Sequence, residues 1–191
     1  FSTIKNFLNY STPLIFNSFF LWFTQSIDRF LIVHLIGLGF VGIYGVNFQL
    51  ASVIFMVLRP ISFVLFPRVS SDWNKGDSQL VNQSFSQAVS FTLVLSAPII
   101  AGLLVTSEEL IGLLAGQEYF SGFELVILLL LSGLISMIYQ NHLYVIHLVE
   151  KTYLLPFLFC FAGFFNLVCG FLLTFKLGII GAALARLITF S

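Results

Sequence analysis

Charge is the scarcest property of this sequence. Lysine, arginine, aspartate and glutamate together make up 8% of its 191 residues, and eight positive side chains balance eight negative ones. Soluble domains carry about 25% charged residues, so this composition argues against an ordinary soluble fold. A net charge of zero also leaves no basic surface for nucleic acid, which we therefore do not expect as a partner.

Cysteine and histidine are also scarce, and their placement argues against disulfide and metal chemistry. Cys160 and Cys169 lie in one apolar run, and on a helix their spacing corresponds to roughly 13 Å of rise, too far for a disulfide. His34, His142 and His147 have no metal-like spacing with other ligands, and no nucleophile elbow, phosphate loop or pair of catalytic carboxylates appears. We predict no metal, no cofactor and no enzymatic activity.

Apolar side chains are abundant instead. The chain is 59% hydrophobic, contains 24 phenylalanines and has a mean hydropathy of +1.04. A membrane-spanning helix needs about 20 apolar residues, and runs of this length without strict alternation favour helices over barrel strands. The sequence therefore predicts an all-α, polytopic membrane helix bundle. Its six spans are predicted at about 11–36, 40–66, 85–105, 123–149, 153–175 and 178–191.

The sequence also suggests what joins and surrounds these spans. The longest polar stretch, 67–84, is predicted to be a loop. The segment Thr106–Gly122 is predicted to form a short helix at the membrane interface, capped by Ser107. The chain begins with Phe1 and stops inside its last apolar run, so we expect a piece of a larger protein with the last span truncated.

Loop charges predict the orientation of the bundle. Lys5, Arg68, Lys75 and Lys151 fall on the side that holds the N-terminus, and Lys176 alone falls on the other side. Positive residues are enriched in cytoplasmic loops. We therefore expect a multi-pass protein of the cytoplasmic membrane whose N-terminal end, in this segment, is cytoplasmic.

Two adjacent charges interrupt the first span. Asp28 and Arg29 lie inside the apolar run Ser11–Ile36, where each charge costs about 2.5–3.5 kcal/mol at the centre of a membrane helix. Such residues should face protein or a water-filled cavity. Asp28 is a candidate for coupling to a proton or cation, or alternatively it neutralises an arginine.

Three arginines lie within predicted spans and are candidates for anion binding. A guanidinium binds phosphate through a planar fork, so Arg29, Arg59 and Arg186 are predicted to form a path for an anionic group. The alternative is that Arg29 pairs with Asp28 or another neighbour and that Arg59 reaches towards the membrane interface.

Uncharged polar residues form stripes along the spans. They are predicted to line a cavity, with packing between helices as the alternative. These residues are Asn17, Ser18, Thr24, Gln25, Gln49, Ser52 and Gln140. On the fifth span, Gly163, Asn166 and Gly170 are predicted to serve close packing.

Several short motifs, in a specific order, resemble a known family. They are Asp28-Arg29-Phe-Leu-Ile, Val41-Gly-Ile-Tyr44, Val64-Leu-Phe-Pro67, Pro98-Ile-Ile-Ala-Gly102 and Gly178-Ile-Ile-Gly-Ala-Ala-Leu-Ala185. The chain resembles the second half of the polysaccharide and O-antigen flippases, which belong to the multidrug/oligosaccharidyl-lipid/polysaccharide exporter superfamily.

The resemblance implies two six-helix lobes that face each other across a central cavity, with this chain as the second lobe. It implies transport of polyprenyl-diphosphate-linked oligosaccharide for surface polysaccharide biosynthesis. The implied partners are that lipid-linked oligosaccharide, membrane lipid, the missing N-terminal lobe and the polysaccharide polymerase machinery. The Asp-Arg motif carries the diphosphate-binding role onto Arg29. A multidrug/cation antiporter of the same superfamily and a non-transporting membrane scaffold subunit remain alternatives.

Overall fold

The computed structural model describes the backbone of residues 2–56, 58–148 and 153–190, and the side chains of 18–56, 60–65, 67–143, 146 and 153–190. Within these ranges the chain is almost entirely helical and contains no strand. Its helices are α1 (Ser2–Leu35), α2 (Leu38–Ala51), α3 (Leu58–Asn74), α4 (Ser78–Leu114), α5 (Phe123–Leu148), α6 (Leu154–Leu177) and α7 (Ile179–Phe190). Two short 3-10 helices are also present, at Ser52–Met56 and Gln117–Tyr119.

The helices have the length and composition of membrane spans. Among the described residues, four segments are long and apolar enough to cross a bilayer: Leu38–Asn74, Ser78–Leu114, Phe123–Leu143 and Leu154–Leu177. Large apolar side chains stay exposed along them, as most of the phenylalanines of α6 do, because lipid solvates such side chains. The predicted all-α membrane helix bundle is confirmed.

The hydrophobic core lies between helices α1, α2, α5 and α7. Helix α1 packs against α6, α6 against α7, and α7 against α5, while α3 and α4 form a hairpin whose second helix reaches α5. Side chains from α1, α2, α5 and α7 form the largest buried apolar cluster. Its members are Ile32, Tyr44, Ala51, Leu125, Val126, Leu129, Leu130, Ala182 and Ala183.

The polar stretch 67–84 is mostly helical, so the prediction of a loop there is wrong. Helix α3 continues to Asn74 and α4 begins at Ser78. Asp77 caps α4, because its Oδ1 accepts hydrogen bonds from the backbone N–H groups of Gln79 and Leu80 at 3.0 and 3.1 Å. Polar residues beyond an apolar run can extend a helix when a cap satisfies its first turn.

The predicted interfacial helix is also wrong, because α4 runs without interruption through Thr106 and Ser107 to Leu114. The Thr106 hydroxyl donates to the carbonyl of Gly102 at 2.8 Å, and the Ser107 hydroxyl donates to that of Leu104 at 3.0 Å. Hydroxyls bonded to the preceding turn fit inside a helix, and Ser107 is therefore not a cap. The helix ends near Gly116, which has a φ of 116°.

The second predicted span, 40–66, is not one regular helix. Its first part is α2, and the 3-10 helix Ser52–Met56 follows directly. The Ser52 hydroxyl donates to the carbonyl of Gln49 at 2.7 Å, a three-residue spacing that suits the tighter 3-10 turn. This change of helix type lies beside the cavity described below.

Candidate functional site

A buried carboxylate joins four helices. Asp28 on α1 is 1% exposed. Its Oδ2 accepts hydrogen bonds from Arg186 Nη1 on α7 at 2.7 Å and from the Tyr44 hydroxyl on α2 at 3.1 Å. Its Oδ1 accepts one from Asn166 Nδ2 on α6 at 3.2 Å. A carboxylate away from water is tolerated when it is paired and hydrogen-bonded in this way. We call these four residues the Asp28 cluster.

Small residues bring α6 close enough to reach Asp28. One turn before Asp28, the single hydroxyl hydrogen of Thr24 is shared between the carbonyls of Phe20 at 2.8 Å and of Phe159 on α6 at 3.0 Å. A Cβ on Gly163 would lie 2.9 Å from that hydroxyl oxygen, so the two helices meet where α6 has no side chain. Asn166 follows one turn later and lies opposite Asp28.

A second close contact places α7. Gly178 ends α6 with a φ of 65°, a conformation that favours glycine. A Cβ on Gly181 would collide with the backbone carbonyl of Leu173 on α6. Because α7 turns back this tightly, Arg186 reaches the Asp28 carboxylate from the far end of the chain, 158 residues away.

A partly enclosed cavity of about 410 Å³ borders the cluster. Arg186 is one of its walls, so one face of the ion pair meets the cavity. The other polar side chains that line it are Gln25, Ser52, Ser136 and Gln140, and the rest of the lining includes Leu21, Phe48, Phe55, Tyr139, Leu143, Phe159 and Phe190. A few polar groups within a mainly apolar wall are typical of a ligand site.

The two arginines share an aromatic ring at this cavity. The Cζ atom of Arg29 lies 5.2 Å from the centre of the Phe48 ring, and that of Arg186 lies 4.6 Å from it. Both distances are within the range of a cation–π interaction. Among the described side chains, no carboxylate oxygen lies within 4.0 Å of the Arg29 guanidinium, whereas Arg186 is paired with Asp28. Among the described residues, Arg29 is therefore a cation beside the cavity that has no carboxylate partner.

The structure brings several predicted site residues together at the cavity. Gln25, Ser52, Gln140 and Arg186 line it, and Arg29 contacts a ring in its wall. Thr24 instead joins α1 to α6. Gln49 and Ser18 are exposed on α2 and α1 and are not among the lining residues. The side chains of Asn17 and Arg59 lie outside the described residues.

Sequence reasoning missed two members of the cluster. Asn166 was assigned to packing alone, and Tyr44 was noted only within a motif. The signal for Asn166 was available, because an amide in the middle of an apolar helix needs a hydrogen-bonding partner. Nothing in the local sequence marks Tyr44, whose hydroxyl finds Asp28 only when α1 and α2 fold together.

The fold and the site define a polytopic, all-helical membrane protein with a charged cluster beside an internal cavity. More specifically, the chain belongs to the family of polysaccharide biosynthesis proteins, because the model of that family matches residues 1–124.

Two curated relatives support this membership. The chain is 22% identical over 191 residues to the probable low-salt glycan biosynthesis flippase of Haloferax volcanii. The aligned region covers 100% of this chain and 40% of that protein. It is 24% identical over 114 residues to a teichuronic acid biosynthesis protein of Bacillus subtilis, covering 59% of this chain and 23% of that protein. The chain thus spans less than half the length of these relatives. No solved structure matches it.

Proposed function

We propose that this chain is the second lobe of a flippase that moves polyprenyl-diphosphate-linked oligosaccharide across the cytoplasmic membrane. The family membership and the similarity to the probable glycan biosynthesis flippase of Haloferax volcanii support transport of a glycan precursor. The observation that carries the proposal is the Arg29 guanidinium, which has no carboxylate partner among the described residues and shares the Phe48 ring of the cavity wall with Arg186.

The physical argument starts from the cost of moving a headgroup through lipid. A sugar diphosphate cannot cross hydrocarbon unaided, because its charges and hydroxyls would lose their hydrogen bonds. A cavity with Arg186 and several polar side chains in its wall, and with Arg29 beside it, replaces those bonds while the lipid tail stays in the bilayer. The remainder of the full-length protein would supply the facing wall, and rocking of the two lobes would give access to each side in turn.

Within this proposal, Arg29 is the principal diphosphate ligand. Its guanidinium is exposed and has no described carboxylate partner, so its donors are available to phosphate oxygens. Arg186 is already bound to Asp28 and offers only its cavity-facing side. Arg59 remains a predicted ligand whose side chain lies outside the described residues.

Arg29→Ala in the full-length protein tests the proposal. We expect surface polysaccharide in cells that depend on this protein to fall about tenfold or more at matched expression, because a hydrogen bond to a charged group contributes about 1.5–3 kcal/mol. Lys176→Ala removes an exposed cation on α6 and serves as the control. Wild-type polysaccharide levels with Arg29→Ala would reject the diphosphate role.

Asp28 has two candidate roles. The ion pair with Arg186 favours the first, in which Asp28 holds Arg186 at the cavity wall. Coupling to an ion gradient remains the second candidate. Asp28→Asn separates them: loss of gradient dependence with retained downhill transport supports coupling, whereas retained dependence rejects it. The antiporter alternative expects a cavity lined by carboxylates, and the lining of this cavity contains none among the described residues.

The orientation is proposed from the loop charges alone. With the N-terminal end cytoplasmic, the turn between α3 and α4 lies on the cytoplasmic side. A cysteine in place of Asn74, which is exposed at the end of α3, should resist an impermeant thiol reagent in intact cells and react after permeabilisation. Reaction in intact cells would reverse the orientation.

A further inference from the structure

A second cavity lies between α3 and α4 and shares no lining residue with the Asp28 cluster. It is a groove of about 280 Å³. Most of its lining is apolar, including Ile61, Val64 and Leu65 from α3 and Phe91 and Leu95 from α4. Beneath it, a buried apolar cluster that includes Leu65 and Ala88 holds the two helices together.

The polar residues that line this groove are Arg68 on α3 and Ser84 and Gln87 on α4. Arg68 is exposed, and no carboxylate oxygen within the described part of the chain lies within 4.0 Å of its guanidinium. The nearest carboxylate along α3, Asp72, is already bound to Lys75 at 3.5 Å and to the Ser84 hydroxyl at 3.4 Å. The guanidinium donors of Arg68 are therefore free for a ligand.

The groove has the polarity of a membrane lipid. Arg68 lies two helical turns before the Lys75–Asp77 turn, and Trp73 beside that turn is 43% exposed. Tryptophan and long basic side chains collect at the level of lipid headgroups. From Arg68 the groove runs back to Pro60, a distance of about 12 Å along the helix. Its apolar end therefore points towards the middle of the bilayer.

We infer that this groove binds an anionic phospholipid. The phosphate accepts hydrogen bonds from Arg68 and Gln87, and one acyl chain lies along the apolar wall formed by Val64, Leu65 and Phe91. Charge complementarity selects an anionic headgroup, because Arg68 has no carboxylate partner within the described part of the chain and a neutral lipid leaves its charge unbalanced. This site is separate from the Asp28 cluster and does not depend on the proposed flippase activity.

Native mass spectrometry of the full-length protein, released from nanodiscs of mixed phosphatidylglycerol and phosphatidylcholine, tests the headgroup contact. Arg68→Gln should lower the retained phosphatidylglycerol about fivefold, the effect expected for one basic contact with an anionic headgroup. Lys176→Gln removes an exposed cation outside the groove and should leave retention unchanged. Equal retention in wild type and Arg68→Gln overturns the assignment.

A pair of matched valines tests the chain contact. Val64 lines the groove and is 66% exposed, while Val94 is 67% exposed and lies outside it. Val64→Trp should fill the groove and reduce retention, whereas Val94→Trp should not. Equal effects of the two substitutions contradict the proposal. Displacement of the retained lipid by a polyprenyl phosphate but not by added phosphatidylglycerol would assign the groove to the substrate's tail and overturn it too.

Discussion

Helices α1, α2, α6 and α7 meet around a buried carboxylate, whereas α3 and α4 meet along an apolar contact. In the first region, Asp28 accepts hydrogen bonds from three other helices. In the second, Leu65, Val69 and Phe85 belong to an apolar cluster, and the polar contacts of Asp72 and Asp77 lie near the connecting turn. The two regions are assembled by different forces.

The difference follows from the connections between the helices. Lipid is as apolar as leucine, so the hydrophobic effect does not decide which membrane helices associate. A three-residue turn already holds α3 beside α4, and packing is enough to align them. Asp28 and Arg186 are 158 residues apart, and a specific polar contact distinguishes their pairing from other arrangements. The Asp28 cluster, where a polar contact selects which helices pair, also borders the cavity.

The largest expected effect comes from breaking the ion pair on one side. Arg186→Met leaves the Asp28 carboxylate buried without its cationic partner and should destabilise the protein by about 3–5 kcal/mol. Thermal unfolding of the full-length protein in detergent measures the change, with the exposed Lys176→Met as control. The double substitution Asp28→Asn with Arg186→Met should recover most of the loss, because no unpaired charge remains. Equal melting temperatures for Arg186→Met and wild type would contradict this account.

A smaller effect is expected when one neutral donor is removed. Tyr44→Phe deletes the hydroxyl that donates to Asp28 but keeps the ring and the bonds from Arg186 and Asn166. The expected loss is about 1–2 kcal/mol, between the values for hydrogen bonds to charged groups and for those between membrane helices. Tyr153→Phe, at an exposed tyrosine, is the control in the same unfolding assay. A loss as large as that of Arg186→Met would mean that the hydroxyl, and not the cation, balances Asp28.

The smallest effect is expected in the hairpin. Asp77→Ala removes the cap of α4 and should cost about 1 kcal/mol or less, confined to the first turn of the helix. Hydrogen exchange should accelerate at the amides of Gln79 and Leu80, which Asp77 binds. Asp77→Asn should preserve slow exchange, because asparagine caps as well as aspartate. Unchanged exchange in Asp77→Ala would show that the turn, and not the cap, fixes the hairpin.

The sequence shows polar stripes because membrane helices separate polar from apolar residues. The polar stripes identified Gln25, Ser52 and Gln140, which the fold gathers around one cavity. The stripes also included Thr24, whose hydroxyl joins α1 to α6. Small polar residues occur both at contacts between helices and in cavity walls, so a stripe alone does not separate the two roles. The polar stretch 67–84 was mistaken for a loop because polarity reports exposure to water and not the end of a helix.

By itself, the sequence determined that this protein is an all-helical membrane bundle, since backbone groups in long apolar segments must be satisfied within each helix. It also determined that charges inside those segments need partners. Only the tertiary structure decided which partners they have. Asp28 lies beside Arg29 in the chain but pairs with Arg186, because the close contacts at Gly163 and Gly181 bring α6 and α7 to it. Among the described residues, that choice leaves Arg29 without a carboxylate partner beside the cavity, a property that no spacing within one helix specifies.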